Sequence, residues 1–341
     1  MKTILYTVGC VYLATSFQAY AQEGDSPFSA EFVVELQNDG VIDSDDPDGE
    51  LNNFFATIEG ALSYSFGSGS SVNATLLIEP VEDPDDDSFL EDHGLFAEEL
   101  FFAQDFGAGE LILGKFNPAF GVAWDAAPGI YGVDFAEDYE LAEFLGAGVN
   151  VPLQFAGGEH VISVAVFQAD RTFLSNSAGE ERGRTRLSDG GPANTSGPES
   201  IAVALSGEFG ATSYNIGVQY LSAGEGDEDD QTGFVAGVIH TLGGAAEGVE
   251  LLGEVVWFDS FDGSENEAVF VTVGASVPVG PVTLSGVYSL RDVETASADH
   301  LATVSAEMEL VEGLVGSIGY RYGDEEGVES HTLGALLVYE F

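Results

Sequence analysis

The strongest constraint on the fold is a period-two alternation of apolar and polar residues, repeated in stretches of about 9 to 13 residues. In residues 54–66, Phe54, Ile58 and Leu62 share one face, whereas Glu59 lies on the other. Successive side chains of a strand point to opposite faces, so each stretch predicts a strand with one apolar face. The length is what a tilted strand needs to cross a bilayer. After residue 21 no run of 18 consecutive apolar residues occurs, which argues against membrane-spanning helices and favours an all-β fold.

The connections between the sixteen candidate strands alternate in length. The short ones are residues 67–70, 107–109, 156–158, 207–210, 243–248, 278–281 and 311–313. The longer ones are residues 38–52, 80–93, 117–140, 171–198, 224–231, 260–266, 292–298 and 324–328. A soluble sandwich also alternates along its strands, but its Greek-key connections are not sorted in this way. Short turns at one end and long loops at the other predict an up-and-down transmembrane β-barrel of about sixteen strands.

The last candidate strand supports this prediction. Leu333, Leu337, Tyr339 and Phe341 fall on one face, and Phe341 is the last residue. This pattern resembles the C-terminal signature of bacterial outer-membrane barrels. The resemblance implies that Tyr339 and Phe341 form an assembly signal for the barrel-assembly machinery. It also implies contact with outer-membrane lipid and lipopolysaccharide.

The first residues have the features of a targeting segment. Lys2 precedes a mostly apolar stretch, residues 4–17, and Ala19-Tyr20-Ala21 supplies the small-x-small pattern of a signal-peptidase site. The apolar stretch is too short to be a spanning helix. We therefore predict a signal peptide at residues 1–21 and a barrel domain at 22–341, placed in the Gram-negative outer membrane.

Cys10 raises the alternative of a lipoprotein signal and bears on which cysteine-dependent sites the mature protein can have. A lipoprotein signal would acylate a cysteine at the mature N-terminus, but the nine residues before Cys10 leave little room for a hydrophobic core. Since Cys10 is the only cysteine, cleavage at Ala21/Gln22 would exclude disulfides and thiolate metal sites from the mature protein.

The charge balance is strongly acidic. The chain contains 8 Lys and Arg residues and 59 Asp and Glu residues, which gives a formal net charge of −51. Such a field repels nucleic acid and attracts cations. A high content of acidic residues is typical of disordered chains, but 11% of the residues here are aromatic, which argues against disorder. The composition therefore predicts an ordered β protein with no nucleic-acid partner.

The third long loop has an unusual composition. Residues 117–140 contain apolar aromatics such as Phe120 and Trp124, which an exposed loop rarely carries unless they are buried against something. The same loop carries four acids that are candidates for a pore constriction: Asp125, Asp134, Glu137 and Asp138.

The whole predicted barrel resembles the general bacterial porins in architecture, although no stretch is a strong family motif and the subfamily stays open. In that family sixteen-stranded barrels assemble as trimers, and the loop after the fifth strand folds into the lumen. Here the acidic loop also follows the fifth candidate strand, residues 110–116. The resemblance implies a homotrimer whose inward-folded third loop forms an acidic constriction. The alternative is a loop packed on the outer rim.

Family constrictions oppose loop acids with wall arginines, and alternation places Arg291 and Arg321 opposite the apolar faces of their strands. A charge on the lipid face would cost about 2–4 kcal/mol at the bilayer midplane. Lys115 is a third candidate for the wall, although it shares a face with Leu111 and Leu113. The acidic residues predicted to face the lumen are Glu31, Glu35, Glu59, Glu250, Glu254 and Glu307. The alternative for each basic residue is a structural salt bridge with a nearby acid. Three further arginines, in residues 182–186, are expected to form local pairs in a solvated loop.

No cofactor or metal site is predicted. The acidic segments 43–50, 82–92 and 225–230 could hold Ca²⁺ or Mg²⁺, but the first lacks the spacing of a calcium hand. The five histidines are dispersed without ligand spacing. The chain has no Gly-x-Ser-x-Gly, phosphate-binding or His-Glu-x-x-His motif, and we expect no enzyme.

The sequence thus favours a cation-preferring porin for passive diffusion of small hydrophilic solutes and cations. Two alternatives stay open. One is a channel selective for a sugar or small organic solute, and the other is a non-conducting barrel that serves as an adhesin or structural anchor.

Overall fold

The computed structural model describes residues 26–341, and the predicted signal peptide with its cleavage site lies outside the described residues. The described chain forms one sheet that closes on itself, because its first strand pairs antiparallel with both its second and its last strand. Sixteen strands form the wall: β1 (Phe28–Ser44), β2 (Asn52–Gly67), β3 (Ser70–Pro80), β5 (His93–Asp105), β6 (Glu110–Phe116), β7 (Phe144–Phe155), β8 (Gly158–Ala169), β10 (Ser200–Phe209), β11 (Thr212–Leu221), β12 (Gln231–Thr241), β13 (Glu250–Asp259), β14 (Ala268–Val279), β15 (Val282–Val293), β16 (Asp299–Val311), β17 (Leu314–Glu325) and β18 (Val328–Glu340). The predicted sixteen-stranded barrel is confirmed.

Two additional strands of two residues each lie outside the up-and-down order. β4 (Ser88–Phe89) pairs parallel with β2, and β9 (Ala178–Gly179) pairs with β5. The helical elements of the described residues are α1 (Ala123–Ala126) and six 3-10 turns: Pro47–Gly49, Glu137–Tyr139, Phe173–Ser175, Leu187–Asp189, Gly244–Ala246 and Phe261–Gly263. Within residues 26–341, no helix combines the length and apolar character needed to cross a membrane.

The alternation of side chains produces two different faces. On β13, Leu251 and Val255 are 41% and 47% exposed, whereas Leu252 and Val256 between and beside them are buried. On β18, Leu333 is 49% exposed and its neighbour Thr332 is buried. In a closed barrel the exposed apolar set forms the outer face, which suits a lipid environment.

Two loop boundaries predicted from the sequence are wrong. Residues 38–44 were expected to be loop, but they continue β1 and pair with β18 as far as Ser44. Residues 324–328 were expected to be a longer loop, but Glu325 pairs with Val328 across a two-residue turn. A run of polar side chains indicates a loop only if the adjoining strands are apolar along their full length. A ladder of backbone hydrogen bonds carries polar residues equally well.

Tight turns join many of the hairpins. Between β7 and β8 the turn consists of Ala156 and Gly157, with φ of 50° and 79°. The turn between β17 and β18, Glu326 and Gly327, has φ of 54° and 80°. Positive φ at both central residues fits the twist of a two-residue hairpin, and glycine adopts it without a steric cost.

The wall is irregular at β6, and this irregularity positions the chain that follows it, residues 117–143. β6 has only seven residues and pairs with β5 no further than Lys115 opposite Leu100. The chain then leaves the wall and returns at Phe144, the start of β7. Part of the β5 edge left open by this departure is paired by β9, at Gly94 and Leu95.

Candidate functional site

The residues between β6 and β7, 117–143, are here called the long segment. Several of its N–H groups donate to side chains of separate wall strands. Gly121 N donates to Asn215 of β11 at 3.1 Å, and Ile130 N donates to Ser305 of β16 at 3.2 Å. The Tyr131 hydroxyl donates to Asp39 of β1 at 2.6 Å. Wall strands that are far apart around the barrel therefore hold the same short stretch of chain.

Glu254 of β13 is the most connected of these anchors. Its carboxylate accepts from the backbone N–H of Val122 at 2.5 Å and of Ala123 at 3.2 Å, which begin α1. It also accepts from the Tyr139 hydroxyl at 2.7 Å. The first N–H groups of a helix lack partners within the helix, so a carboxylate there satisfies donors that burial would otherwise leave unpaired. Glu254 is 4% exposed, and its predicted position on the face opposite Val255 agrees with these contacts.

The aromatic residues of the long segment explain its unusual composition. Phe120 and Tyr139 are buried and pack against Phe258 of β13, with ring centroids 6.1 and 6.4 Å apart. Tyr139 also meets Phe270 of β14 edge to face at 5.1 Å. Burial of these rings removes a large apolar area from water and fixes the segment against the wall.

Arg291 and Arg321 each join one acid of the long segment to one acid of the wall. Arg291 binds Asp138 at 2.7 Å and Asp299 at 2.8 Å. Arg321 binds Asp134 at 2.7 Å and Glu325 at 2.6 Å. Arg291 also lies 3.8 Å from the Glu325 carboxylate. Each guanidinium group is therefore bound by at least two carboxylates, so neither adds a free positive charge to its surroundings.

Asp125 and Glu137 lie near other acids. Burial, followed by the neighbouring Glu254 carboxylate, raises the pKa of Asp125 to about 7. The Glu137 side chain is exposed, but the protein atoms around it, followed by the Asp134 and Asp138 carboxylates, raise its pKa to about 7. Each group is therefore close to half ionised at neutral pH.

Two more acids of the long segment have raised pKa values. Burial raises the pKa of Asp134 to about 6, although the Arg321 guanidinium opposes the shift. Burial, with Glu98 and Asp125 next in effect, raises the pKa of Glu140 to about 9. Glu140 was not among the predicted constriction residues, and its place at the end of the predicted loop gave no signal of burial.

The predicted lumen glutamates occupy the same face of the wall as these contacts. Glu31 and Glu35 alternate with the exposed Phe32 and Leu36 on β1, and Val33 pairs with Glu59 of β2. The remaining two, Glu250 of β13 and Glu307 of β16, share a face with Glu254 and with Ser305 respectively.

Two acids of β5 that the alternation did not predict lie at a bulge. Thr75 of β3 pairs with Glu99, but the next residue, Leu76, pairs with Ala97, which leaves Glu98 as an extra residue. This extra residue disrupts the alternation of 94–106. Glu98 and Glu99 both bind Asn117 at the start of the long segment, at 2.8 and 3.1 Å.

Lys115 differs from the expectation of a pore-wall residue. Its ammonium group has no exposed surface and lies 2.6 Å from Glu143, 3.4 Å from Asp170 and 3.0 Å from the Leu174 carbonyl. It lies at the end of β6, where the chain leaves the wall and the following loops cover it. An ammonium buried in this way needs its partners inside the protein and is not available to a pore.

Arg182 also differs from expectation. It donates to the Ser175 carbonyl oxygen of its own loop at 3.1 Å, but its ion-pair partner is Glu143 of the long segment, to whose two oxygens it donates at 2.7 and 2.5 Å. Its guanidinium also lies over the Phe96 ring, 3.8 Å from the centroid. Lys115, Glu143 and Arg182 thus tie the end of the long segment to the loop that carries β9. Arg184 of the same loop donates to the Arg171 carbonyl oxygen.

The remaining candidates have structural partners. Within the described residues, no group of three or more His, Cys, Asp or Glu is arranged to hold a metal ion. Three histidines pair with tyrosine hydroxyls: His160 with Tyr214, His300 with Tyr288, and His331 with Tyr320.

The C-terminal residue closes the barrel beside β1. Phe341 N donates to the Phe32 carbonyl, and Phe32 N donates to the Phe341 carbonyl, both at 3.0 Å. The Phe341 ring stacks on Phe32 at 5.6 Å and on Tyr339 at 5.5 Å.

Comparison with known proteins gives a structural likeness without a sequence relative. No protein-family model matches the chain, and no curated protein matches its sequence. The outer-membrane channel DcaP of Acinetobacter baumannii superposes with a TM-score of 0.64 at 12% identity, over 92% of this chain and 97% of the other. Salmonella typhi OmpF, solved in complex with daunomycin, gives 0.64 at 9% identity over 92% and 97%. The anion-selective porin from Comamonas acidovorans gives 0.60 at 14% identity over 92% and 100%.

Proposed function

We propose that this chain, which has the fold of the outer-membrane porins and channels, is a passive, cation-preferring diffusion channel of the Gram-negative outer membrane. The fold alone does not select the sign of the permeating ion, because an anion-selective porin has the same fold. Selectivity must follow from the charged groups that line the path.

We infer that the long segment lies across the lumen. Its partners Asp39, Asn215, Glu254, Ser305 and Arg321 belong to five different wall strands. All lie on the face opposite the exposed apolar side chains. A segment packed on the outer rim would contact neighbouring loops rather than this set of strands. The segment would therefore narrow the pore and bring its acids to the narrowest part.

The pairing of the two arginines carries the proposed cation preference. Arg291 and Arg321 are each bound by at least two carboxylates and share Glu325, so four acids surround two positive charges. Asp125 and Glu137 add acidic groups with no basic residue among the causes of their pKa shifts. The constriction consequently has a net negative charge, which low-dielectric walls focus into the pore.

The preference should depend on ionic strength. The Debye length is about 30 Å at 0.01 M and about 3 Å at 1 M, so concentrated salt screens the acids from most of the pore. In planar bilayers with a KCl gradient, we expect a cation-selective reversal potential that is larger in dilute than in concentrated salt. A reversal potential of anion-selective sign would overturn the proposal, and absence of conductance would favour a non-conducting barrel.

A charge-neutralising variant separates the effect of the constriction acids on selectivity from the effect of acids elsewhere on the surface. Replacement of Asp125, Asp134 and Asp138 by Asn together with Glu137→Gln should move the reversal potential towards zero. The matched control removes four exposed acids from the loop between β3 and β5: Glu82→Gln, Asp83→Asn, Asp85→Asn and Glu91→Gln. If the control shifts the potential as much as the constriction variant, the four acids do not set the selectivity.

We further propose that the channel works as a homotrimer embedded in outer-membrane lipid and lipopolysaccharide, after signal-peptide cleavage near Ala21/Gln22 and insertion by the barrel-assembly machinery. The exposed apolar outer face supports a lipid-facing wall. Native gel migration and cross-linking of the purified protein would test the trimer, and N-terminal sequencing would test the cleavage site.

A further inference from the structure

Five glycines lie within wall strands, on the face opposite the exposed apolar side chains. They are here called the glycine track: Gly217 of β11, Gly237 of β12, Gly274 of β14, Gly319 of β17 and Gly334 of β18. None of the five has a positive φ, so the backbone conformation does not require glycine at these positions. Glycine in the interior of a strand is destabilising relative to alanine, and it often marks a place where another part of the chain approaches closely.

The long segment occupies the space that side chains at two of these glycines would fill. A Cβ at Gly334 would overlap the Tyr131 hydroxyl and lie 2.8 Å from Cζ of the same ring. A Cβ at Gly237 would lie 2.5 Å from Val122 Cγ2 and would overlap the Glu254 carboxylate. Atoms that are not bonded do not approach this closely, so alanine at either position forces its neighbours to move.

The contacts at the other three glycines are tight. From the segment, an added Cβ would meet Phe120 Cδ2 at 3.2 Å, Pro128 Cδ at 3.0 Å and Ile130 Cδ1 at 3.1 Å, at Gly217, Gly274 and Gly319 respectively. From the wall, the same three Cβ positions lie 2.9 Å from Val235, 3.3 Å from Val287 and 3.0 Å from Ser305. Glycine at these positions therefore leaves room for the segment among the wall side chains.

The order of the contacts describes the course of the segment. The glycines of β11, β12, β14, β17 and β18 are met in turn by Phe120, Val122, Pro128, Ile130 and Tyr131. These strands follow one another around the barrel in the same direction. The segment therefore runs along this face of the wall from β11 to β18.

One glycine of the segment itself completes the contact. Gly129 has a φ of 89°, and a Cβ there would lie 2.7 Å from Ser305 Oγ of β16 and 2.8 Å from Ser285 Oγ of β15. Because β15 and β16 lie between β14 and β17, the residue between Pro128 and Ile130 meets the strands that the order requires. The close approach is thus continuous along residues 128–131.

We propose that the residues of the glycine track are positioning residues for the constriction. They hold the long segment at a fixed depth against the wall and thereby set the size of the largest solute that the pore admits. Without side chains beneath it, the segment lies close to the wall and leaves the rest of the cross-section open to solutes. The proposal rests on the proposed function, because it adds a size limit to the charge preference of that pore.

Gly334→Ala is the variant that tests this proposal most directly. Its methyl group takes the place of the Tyr131 hydroxyl, so the ring must move away from the wall, towards the pore axis, and loses its hydrogen bond to Asp39. We therefore expect a narrower pore. In liposome-swelling measurements, the rate for the trisaccharide raffinose should fall relative to the rate for the pentose arabinose. Both sugars are neutral, so their ratio reports pore width and not charge preference.

Protease accessibility measures the position of the segment without requiring a channel. In the refolded Gly334→Ala protein in detergent, chymotrypsin should cleave after Tyr131 about fivefold faster or more, because cleavage follows the population of the detached segment. Gly253→Ala is the matched control. Gly253 belongs to β13, and no other part of the described chain lies within 4 Å of a Cβ at this position. This variant should keep the wild-type sugar ratio and cleavage rate.

A double-variant cycle shows whether Gly334 acts through Tyr131. Tyr131→Phe removes the hydroxyl that the added methyl group would overlap. Gly334→Ala should therefore change the sugar ratio and the cleavage rate less in Tyr131→Phe than in the wild type, whereas additive effects would overturn the proposal. If Gly334→Ala does not assemble, Gly319→Ala, beside Ile130, allows the same comparison with Gly253→Ala.

The outcomes distinguish this proposal from the proposed function. If Gly334→Ala has the sugar ratio and cleavage rate of Gly253→Ala, the positioning role is overturned and the channel is not. Faster cleavage with an unchanged sugar ratio overturns the size limit. If the wild type admits neither sugar and conducts no ions, the diffusion channel and its size limit both fail, and faster cleavage of Gly334→Ala then supports only the attachment of the segment to the wall.

Discussion

Arg321 of β17 donates from Nε to Asp134 at 2.7 Å, across 187 residues of sequence, and so ties the wall to the long segment. The same guanidinium donates to Glu325 at 2.6 Å. A single side chain thus both holds the segment in place and compensates part of its charge.

Arg321→Gln should loosen the long segment. Asp134 would be left near Asp39 and Glu325 without the guanidinium, and loss of hydrogen bonds to charged groups costs about 1–3 kcal/mol. We expect a lower urea midpoint in lipid vesicles and more current fluctuation in planar bilayers. Arg186→Gln, at an exposed arginine of the loop between β8 and β10, serves as the control and should change neither measurement.

Glu254→Gln should weaken the attachment of α1 and Tyr139 to β13. The amide presents an N–H group where the carboxylate accepted a hydrogen bond, so at least one of three bonds is lost, at a cost on the order of 1–3 kcal/mol. Chymotrypsin, which cleaves after aromatic residues, should then cut faster at Phe120 or Trp124. The control is Glu250→Gln on the same face of β13. Equal cleavage rates in both variants would contradict an anchoring role for Glu254.

Cation preference should increase with pH. The pKa values of Asp125 and Glu137 are raised to about 7 and that of Glu140 to about 9, so these groups are neutral below those values and negative above them. Reversal potentials at pH 5.5, 7 and 9 should therefore become progressively more cation-selective. The double variant Asp125→Asn with Glu137→Gln should flatten the change around pH 7, and a wild-type potential independent of pH would contradict the assignment.

The same shifts predict how packing of the long segment responds to pH. A carboxyl group whose folded pKa lies above its unfolded value, about 4, favours folding in its protonated form. That contribution is complete at pH values below the unfolded pKa and is lost as pH rises to the folded pKa, here near 7 for Asp125 and Glu137. Hydrogen exchange of the Val122 and Ala123 amides, corrected for its intrinsic pH dependence, should show less protection at pH 9 than at pH 5.5.

Phe341→Ala should reduce assembly in cells without disabling the folded barrel. The Phe341 backbone bonds to Phe32 remain possible, but the rings of Phe32 and Tyr339 lose their stacking partner. We expect less protein in the outer-membrane fraction, together with wild-type conductance after refolding in vitro. Phe106→Ala, at an exposed residue beside a short turn, is the control. Normal membrane levels of Phe341→Ala would contradict an assembly signal at this residue.

Two segments depart from the predicted strand pattern for local physical reasons. The poor alternation of 94–106 reflects the bulge at Glu98, where one residue on β5 has no counterpart on β3. The polar residues 38–44 continue β1 because β18 supplies their backbone partners. The bulge shows in the sequence only as interrupted alternation, which does not reveal its position, and a distant backbone partner leaves no local sign.

The sequence by itself determined the barrel. Side chains along a strand alternate between its two faces, so the alternating pattern of the sixteen strands fixes which residues form the apolar face and which form the polar face. It also predicted that the glutamates of the wall strands lie opposite the apolar faces. Only the tertiary structure decided which charges meet. Lys115 forms ion pairs with Glu143 and Asp170, whereas Arg291 and Arg321 join acids of the long segment to acids of the wall. These partners lie on different strands and loops, and Coulomb interactions depend on distances that spacing along the chain does not contain.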